Sequence, residues 1–168
     1  MKDEEKLKKL ARDYLLARKK FRDEADKISE LAGNDNIVGR IGEFIAILFL
    51  EKELKRKKII KNPNQVERGN DIVADGKKVS VKIITFENIK GRTTPIKDPW
   101  DELIFIELGE NLKVSQIGYI SSDKFREATR EKFLKNVNPI TSRSMLKKGR
   151  LFDRYGKIFT SKDISEYL

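Results

Sequence analysis

From Lys2 to Leu31 the apolar residues Leu7, Leu10, Ala11, Tyr14, Ala17, Phe21, Ala25, Ile28 and Leu31 recur every three or four positions among charged ones. That rhythm predicts one helix with a single apolar stripe. The stripe either lies on the rest of the domain or pairs with a second copy of the chain, and the pattern serves both. Gly33-Asn34-Asp35-Asn36 breaks the rhythm, with Asn34 or Asp35 as the N-cap of a second helix over 36–56. Ile37, Ile41, Phe44, Ile45, Leu48 and Phe49 form its apolar side. Its last turn runs into Lys55-Arg56-Lys57-Lys58, cations that suit the negative pole of a helix.

The period then changes. Ile59-Ile60 and the residues around Val66 predict a short strand. Asp75-Gly76 predicts a two-residue hairpin turn, because both central positions of such a turn need φ > 0. With those two as the loop, Ala74 faces Lys77, Val73 faces Lys78, Ile72 faces Val79 and Asp71 faces Ser80. Opposed residues share a face, as do residues two apart on one strand. Asp71, Ser80 and Lys82 therefore fall on one face, and Ile72, Val79, Val81 and Ile83 on the other. Lys90 to Pro99 reads as an exposed loop, Leu103 to Leu108 as a central strand, and Val114 to Ile120 as a further strand. Ser121 or Ser122 caps a helix over 123–135, with Asp123 in its first turn. After Asn136 the pattern is less regular. The expected fold class is α/β (α+β) with a mixed sheet. Its three segments are an N-terminal helix (1–33), a core (34–136) and a basic C-terminal segment (137–168).

Composition narrows the chemistry. The 168 residues carry 37 Lys+Arg against 27 Asp+Glu, a formal charge of +10. Such a surplus favours a polyanionic partner, most often nucleic acid. There is no cysteine and no histidine. This excludes disulfides, thiolate nucleophiles, Ser-His triads and zinc sites built on Cys or His. Catalysis would run on carboxylates, lysine, tyrosine or serine, with a hard metal held by oxygen. No apolar run approaches the about 20 residues of a membrane span. The start Met1-Lys2-Asp3-Glu4-Glu5-Lys6 is too mixed in charge for a signal peptide. A cytoplasmic protein without a membrane partner is expected.

Gly42-Glu43 in the second helix, Asn70-Asp71 before the hairpin and Ser80-Val81-Lys82 on its second strand occur in a suggestive order. The arrangement resembles the PD-(D/E)xK nuclease superfamily over roughly residues 36–120. That family sets an acid on a helix, an Asp at the start of a strand and a (D/E)xK triplet on the next strand. Here Asn70 stands in place of the motif proline and Ser80 in place of the second carboxylate. Some restriction endonucleases of the superfamily carry SxK and recruit a glutamate from elsewhere, for which this chain offers Glu43 and Glu87. The resemblance implies a restriction-endonuclease-like core, a central mixed β-sheet flanked by helices. It implies Asp71 with Glu43 or Glu87 as ligands of one or two Mg²⁺, for which Mn²⁺ substitutes. It further implies Lys82 as the group that orients water and stabilises developing charge, and Ser80 as a hydrogen-bonding hydroxyl. The expected activity is hydrolysis of double-stranded DNA, as a homodimeric type II restriction endonuclease. A junction-resolving or repair nuclease and a catalytically inactive DNA-binding relative are the alternatives. Gln65 and Glu67 lie just before the motif.

Basic charge concentrates late in the chain, with eleven bases against three acids between Lys124 and Lys157. Hydroxyls and Lys/Arg are the usual phosphate contacts. Thr141, Ser142, Arg143, Ser144, Lys147, Lys148, Arg150 and Arg154 are expected to touch DNA, with Lys90 and Arg92 in a second loop.

Overall fold

The structure is a computed structural model that describes residues 2–25, 37–61, 70–134, 140–164 and 167. The expected cap at Asn34 or Asp35, the strand residues around Val66, and Gln65 and Glu67 lie outside these residues. Helix α1 spans Lys2–Ala25 and α2 Ile37–Lys52. Strands β1 (Ile59–Lys61), β2 (Ile72–Ala74) and β3 (Lys77–Thr85) follow. Then come β4 (Arg92–Pro95), β5 (Glu102–Leu108), β6 (Val114–Ser121) and α3 (Ser122–Arg130). The chain ends with β7 (Ile140–Ser142), a 3₁₀ turn (Arg143–Leu146), α4 (Leu151–Tyr155), β8 (Lys157–Thr160) and α5 (Ser161–Ile164).

Six strands form one sheet in the order β1-β2-β3-β5-β6-β8. Among the described residues only β3 and β5 run parallel, so the sheet is mixed. The protein is thus an α+β domain with a central mixed sheet flanked by helices, as expected from the pattern. Asp75 and Gly76 both have positive φ, 48° and 82°. They turn the chain with the twist a tight hairpin needs. The register is the expected one: Ile72 opposite Val79, Val73 opposite Lys78, Ala74 opposite Lys77. β5 sits between β3 and β6 and is buried on both faces, which is why Leu103 to Ile106 at its centre read as an unbroken apolar run.

Each face of the sheet has its own core. On one, Ala11 and Leu15 of α1 and Ile45 and Phe49 of α2 pack with Ile72, Val79, Val81, Ile104 and Ile106. On the other, Ile84, Ile96, Trp100, Phe105, Phe125 and Phe152 pack together. The alternation of β3 therefore resolves as expected, with Val79 and Val81 under α2 and with Ser80, Lys82 and Ile84 on the opposite face. Gly42 matters here. A Cβ at this position would lie 3.0 Å from Cβ of Ile83, so glycine lets α2 settle directly on β3.

Three regions depart from the sequence reading. The stretch 90–99 is not loop throughout, because β4 forms a two-stranded ribbon with β7. The C-terminal segment is part of the domain: β8 pairs with β6, and Phe159, Ile164 and Tyr167 enter the first core. α3 is shorter than 123–135, ending where Glu131 N–H bonds Glu127 C=O and Lys132 takes a φ of 58°. α1 lies on the domain through Ala11 and Leu15 while Leu7, Leu10 and Leu16 stay exposed. Among the described residues, no helix is long and apolar enough to cross a membrane.

Candidate active site

Asp71 stands one residue before β2, where that strand meets β3. Its N–H donates to the Val79 carbonyl at 3.0 Å, and its Oδ2 accepts from the Val81 N–H at 2.6 Å. A carboxylate bonded to a strand N–H lies near the plane of the sheet. It is thereby within reach of groups from both faces. From the second-core face come the Ser80 hydroxyl, which hydrogen-bonds Asp71, and the Lys82 ammonium, whose charge acts on it. From the α2 side comes Glu43, half-buried, whose charge also acts on Asp71. Four of the expected residues, Glu43, Asp71, Ser80 and Lys82, are thus brought together.

Their electrostatics are unrelaxed. Burial pushes the Asp71 carboxyl above the ordinary aspartate range; the Val81 N–H and Lys82 pull it down, and the neighbouring Glu43 pushes it further up. Burial likewise pulls the Lys82 ammonium below its ordinary value, with Asp71 opposing and Lys97 adding to the fall. Lys82 Nζ donates to Thr94 Oγ1 at 3.1 Å, so β4 helps to hold it. Two half-buried carboxylates whose charges act on one another suit a hard divalent cation, which takes one or two carboxylates and completes its shell with water. The donor set fits Mg²⁺ on that chemistry. Among the described residues no three acids gather into a ready-made metal cage. Ser80, 3 % exposed, is a neutral member of the group.

Glu87 is placed differently. It lies in the turn after β3, and its Oε2 accepts from Arg18 Nη1 of α1 at 2.9 Å, with both side chains nearly buried. That ion pair ties α1 to the end of β3 and leaves Glu43 as the glutamate beside Asp71.

The expected DNA surface also divides. Thr141 is fully buried and shares a 2.5 Å hydrogen bond with Thr93, so it is a strut of the β4–β7 ribbon rather than a surface group. Arg143 is committed to Glu107 at 2.8 Å and to the Thr85 carbonyl at 2.8 Å. Ser142 and Ser144 share a hydrogen bond at 2.9 Å. Arg154 lies over the Phe133 ring, 5.1 Å from its centroid. Lys90 in the turn before β4, Arg92 on the ribbon, and Ser144, Lys147, Lys148, Arg150 and Arg154 around α4 are exposed. Thr94 and Lys97 join the site from a segment that the sequence reading gave as an exposed, phosphate-contacting loop. Their one local signal was the hydroxyl-rich, basic run Lys90-Gly91-Arg92-Thr93-Thr94.

Comparison with models of protein families finds none that matches this chain, and comparison with curated proteins finds no match either.

Proposed function

We propose that this protein is a metal-dependent endonuclease that hydrolyses phosphodiester bonds in double-stranded DNA, of the PD-(D/E)xK type that its motif resembles. The observation that supports this best is the convergence of Asp71, Glu43 and Lys82, with the Asp71 carboxyl raised by burial and by Glu43. Asp71 and Glu43 would hold Mg²⁺ or Mn²⁺. When bound, the metal would supply Lewis-acid polarisation of the scissile phosphate and a more acidic water.

The chain's own residues do the rest. The Val81 N–H and the Ser80 hydroxyl fix the rotamer of Asp71. Lys82, steadied by Thr94, offers a partly desolvated ammonium to the negative charge that builds on the phosphoryl oxygens. The exposed bases of the ribbon and of the α4 region supply sequence-independent contacts to the phosphate backbone. A type II restriction enzyme fits this size and charge, and a homodimer would bring one such site to each strand. The cytoplasm is the compartment this reading calls for. A binding-only relative is the second reading, favoured by the buried Ser80 where a second carboxylate would be.

Incubation with supercoiled plasmid and mixed-sequence linear DNA in Mg²⁺ tests the proposal. Cleavage by wild type that both Lys82→Ala and Asp71→Asn lack is expected. No cleavage in Mg²⁺ or Mn²⁺, with DNA binding intact, would favour the binding-only relative.

A further inference from the structure

Ile89 stands at the tip of the turn between β3 and β4 and is 97 % exposed. The other exposed large apolar side chains among the described residues, on α1 and β1, reach no more than 63 %. A lone apolar side chain half-covered by its neighbours is ordinary. Ile89 belongs to neither core, and turn positions favour Asn, Asp, Ser, Gly and Pro for backbone reasons that isoleucine lacks. The turn is braced. The Gly91 N–H donates to the Asn88 carbonyl at 3.0 Å and to Asn88 Oδ1 at 3.1 Å, and Asn88 Nδ2 donates to the Arg92 carbonyl at 3.0 Å. Gly91 has a φ of 60°, which lets the chain leave the turn directly into β4. The Arg143 N–H donates to the Gly91 carbonyl at 2.8 Å, and the Arg143 guanidinium is itself fixed on Glu107 and Thr85. At the root, Glu87 is paired with Arg18. A β-branched side chain is also stiff about χ1. Ile89 is thus a fixed apolar point.

Cations flank it. Lys90 follows it in the turn and Arg92 begins β4; both are exposed, and among the described residues neither has a carboxylate partner. Arg92 lies opposite Ser142 on the ribbon. Thr94, two residues on and hence on the same face, accepts from Lys82 Nζ at 3.1 Å. The turn therefore ends a basic, hydroxyl-bearing face that runs to the candidate active site. A protein partner would need a contiguous apolar patch, and Lys is depleted at the centre of such interfaces. A simple phosphate track would need no isoleucine. Duplex DNA accepts both parts, with phosphates for the cations and an apolar slot between base pairs. Proteins that bend DNA insert Ile, Leu, Met, Phe or Pro between base steps, with Arg or Lys alongside.

We infer that Ile89 is a wedge that enters the base stack of duplex DNA and kinks it near the cut, with Lys90 and Arg92 on the flanking phosphates. Ile89 is five residues from Thr94, at most about 17 Å of extended chain. The kink therefore falls within about five base pairs of the phosphate that Lys82 faces. Pyrimidine–purine steps such as TA cost least to open, so the wedge favours cut sites with such a step close by. The inference rests on the nuclease reading for the position of the kink relative to the cut, and stands without it for the kink itself.

A duplex carrying 2-aminopurine at the adenines of its TA steps tests the wedge, since this analogue brightens when unstacked. Metal-free wild-type protein at saturation is expected to raise that emission. Ile89→Ala, confined to an exposed side chain, should leave the emission at the level of free duplex. Its affinity should stay within about ten-fold of wild type, because the cost of opening a step offsets most of the gain from burying the side chain. Lys90→Ala/Arg92→Ala should lower the slope of log affinity against log salt by about 2, with the rise recovered at saturation. An unchanged slope overturns the placing of those two cations. Unchanged emission with wild type, an equal rise with Ile89→Ala, or no binding of the duplex overturns the wedge. So does Ile89-dependent binding to phosphatidylglycerol vesicles without a rise, which would assign the tip to a membrane surface. Cleavage in Mg²⁺ is a separate measurement. Cleavage without the rise sinks the wedge alone, whereas the rise without cleavage supports the wedge and sinks the nuclease.

Discussion

Glu102 and Asp71 are both withdrawn from solvent, and both neighbour Val79: Glu102 lies opposite it across β5, and Asp71 bonds its carbonyl. Their surroundings differ. The Glu102 side chain, 1 % exposed, is held by Arg56 Nη2 at 2.7 Å and Lys77 Nζ at 3.0 Å. Tyr119 packs beside it and is pushed up to about 12 by burial and by the Glu102 charge, so its hydroxyl stays protonated. Asp71 has one ammonium near it, itself desolvated, and a second carboxylate that opposes its ionisation. A buried acid matched by two cations serves the fold, because the charges compensate within the protein. Asp71, half-buried beside another acid, has only partial compensation from the desolvated Lys82, the Val81 N–H and the Ser80 hydroxyl. Groups held in that condition are candidates for sites that bind or react.

Substitutions should separate the two acids. The largest effect is expected on cleavage: Lys82→Ala should lower the rate by about 10²–10³-fold, the usual loss when a preorganised electrostatic donor is removed. A rate within a few-fold of wild type would make Lys82 part of the fold, like Lys77. Glu102→Ala should lower unfolding stability by about 2 kcal/mol in a denaturant titration, since it removes the charge-assisted hydrogen bond to the part-buried Arg56. Cleavage per folded molecule should stay near wild type. Gly42→Ala forces a Cβ against Ile83 and pushes α2, with Glu43, away from β3. Overpacking of this kind costs about 1 kcal/mol. The displaced Glu43 should lower cleavage by about ten-fold, which a rate assay reads directly.

The smallest effect has the opposite sign. Asp71 titrates above an ordinary aspartate in the folded state. Its contribution to stability is therefore present below the unfolded pKa and is lost as pH rises through the folded one. At neutral pH the ionised carboxylate weakens the metal-free fold, so Asp71→Asn should melt higher than wild type. The gap should close as pH falls below the aspartate range, which thermal melts across pH would follow. The corresponding Glu102→Gln variant should melt lower than wild type at neutral pH.

Much of this was legible along the chain, and what was not has a common cause. Asp75-Gly76 set the hairpin register, and strict alternation from Val79 to Ile83 put Ser80 and Lys82 on the face away from α2. Both signals are local. β4 has no apolar alternation and exists because β7, nearly fifty residues on, pairs with it. Thr141 sits in a basic run and looks exposed, yet Thr93 draws it inside. Glu87 resembled a ligand until Arg18, 69 positions earlier, proved to hold it. β8 is four residues long and gains its place from the edge of β6. Pairings across such distances leave no periodic trace.

Thermal unfolding with and without Mg²⁺, run on wild type, Asp71→Asn and Glu102→Gln, tests most directly whether Asp71 and Glu43 await a cation. At a metal concentration of 100 times the dissociation constant, wild type should gain about 2.7 kcal/mol. Glu102→Gln should gain the same, and Asp71→Asn nothing. An equal gain in all three, or none in wild type, would contradict the account.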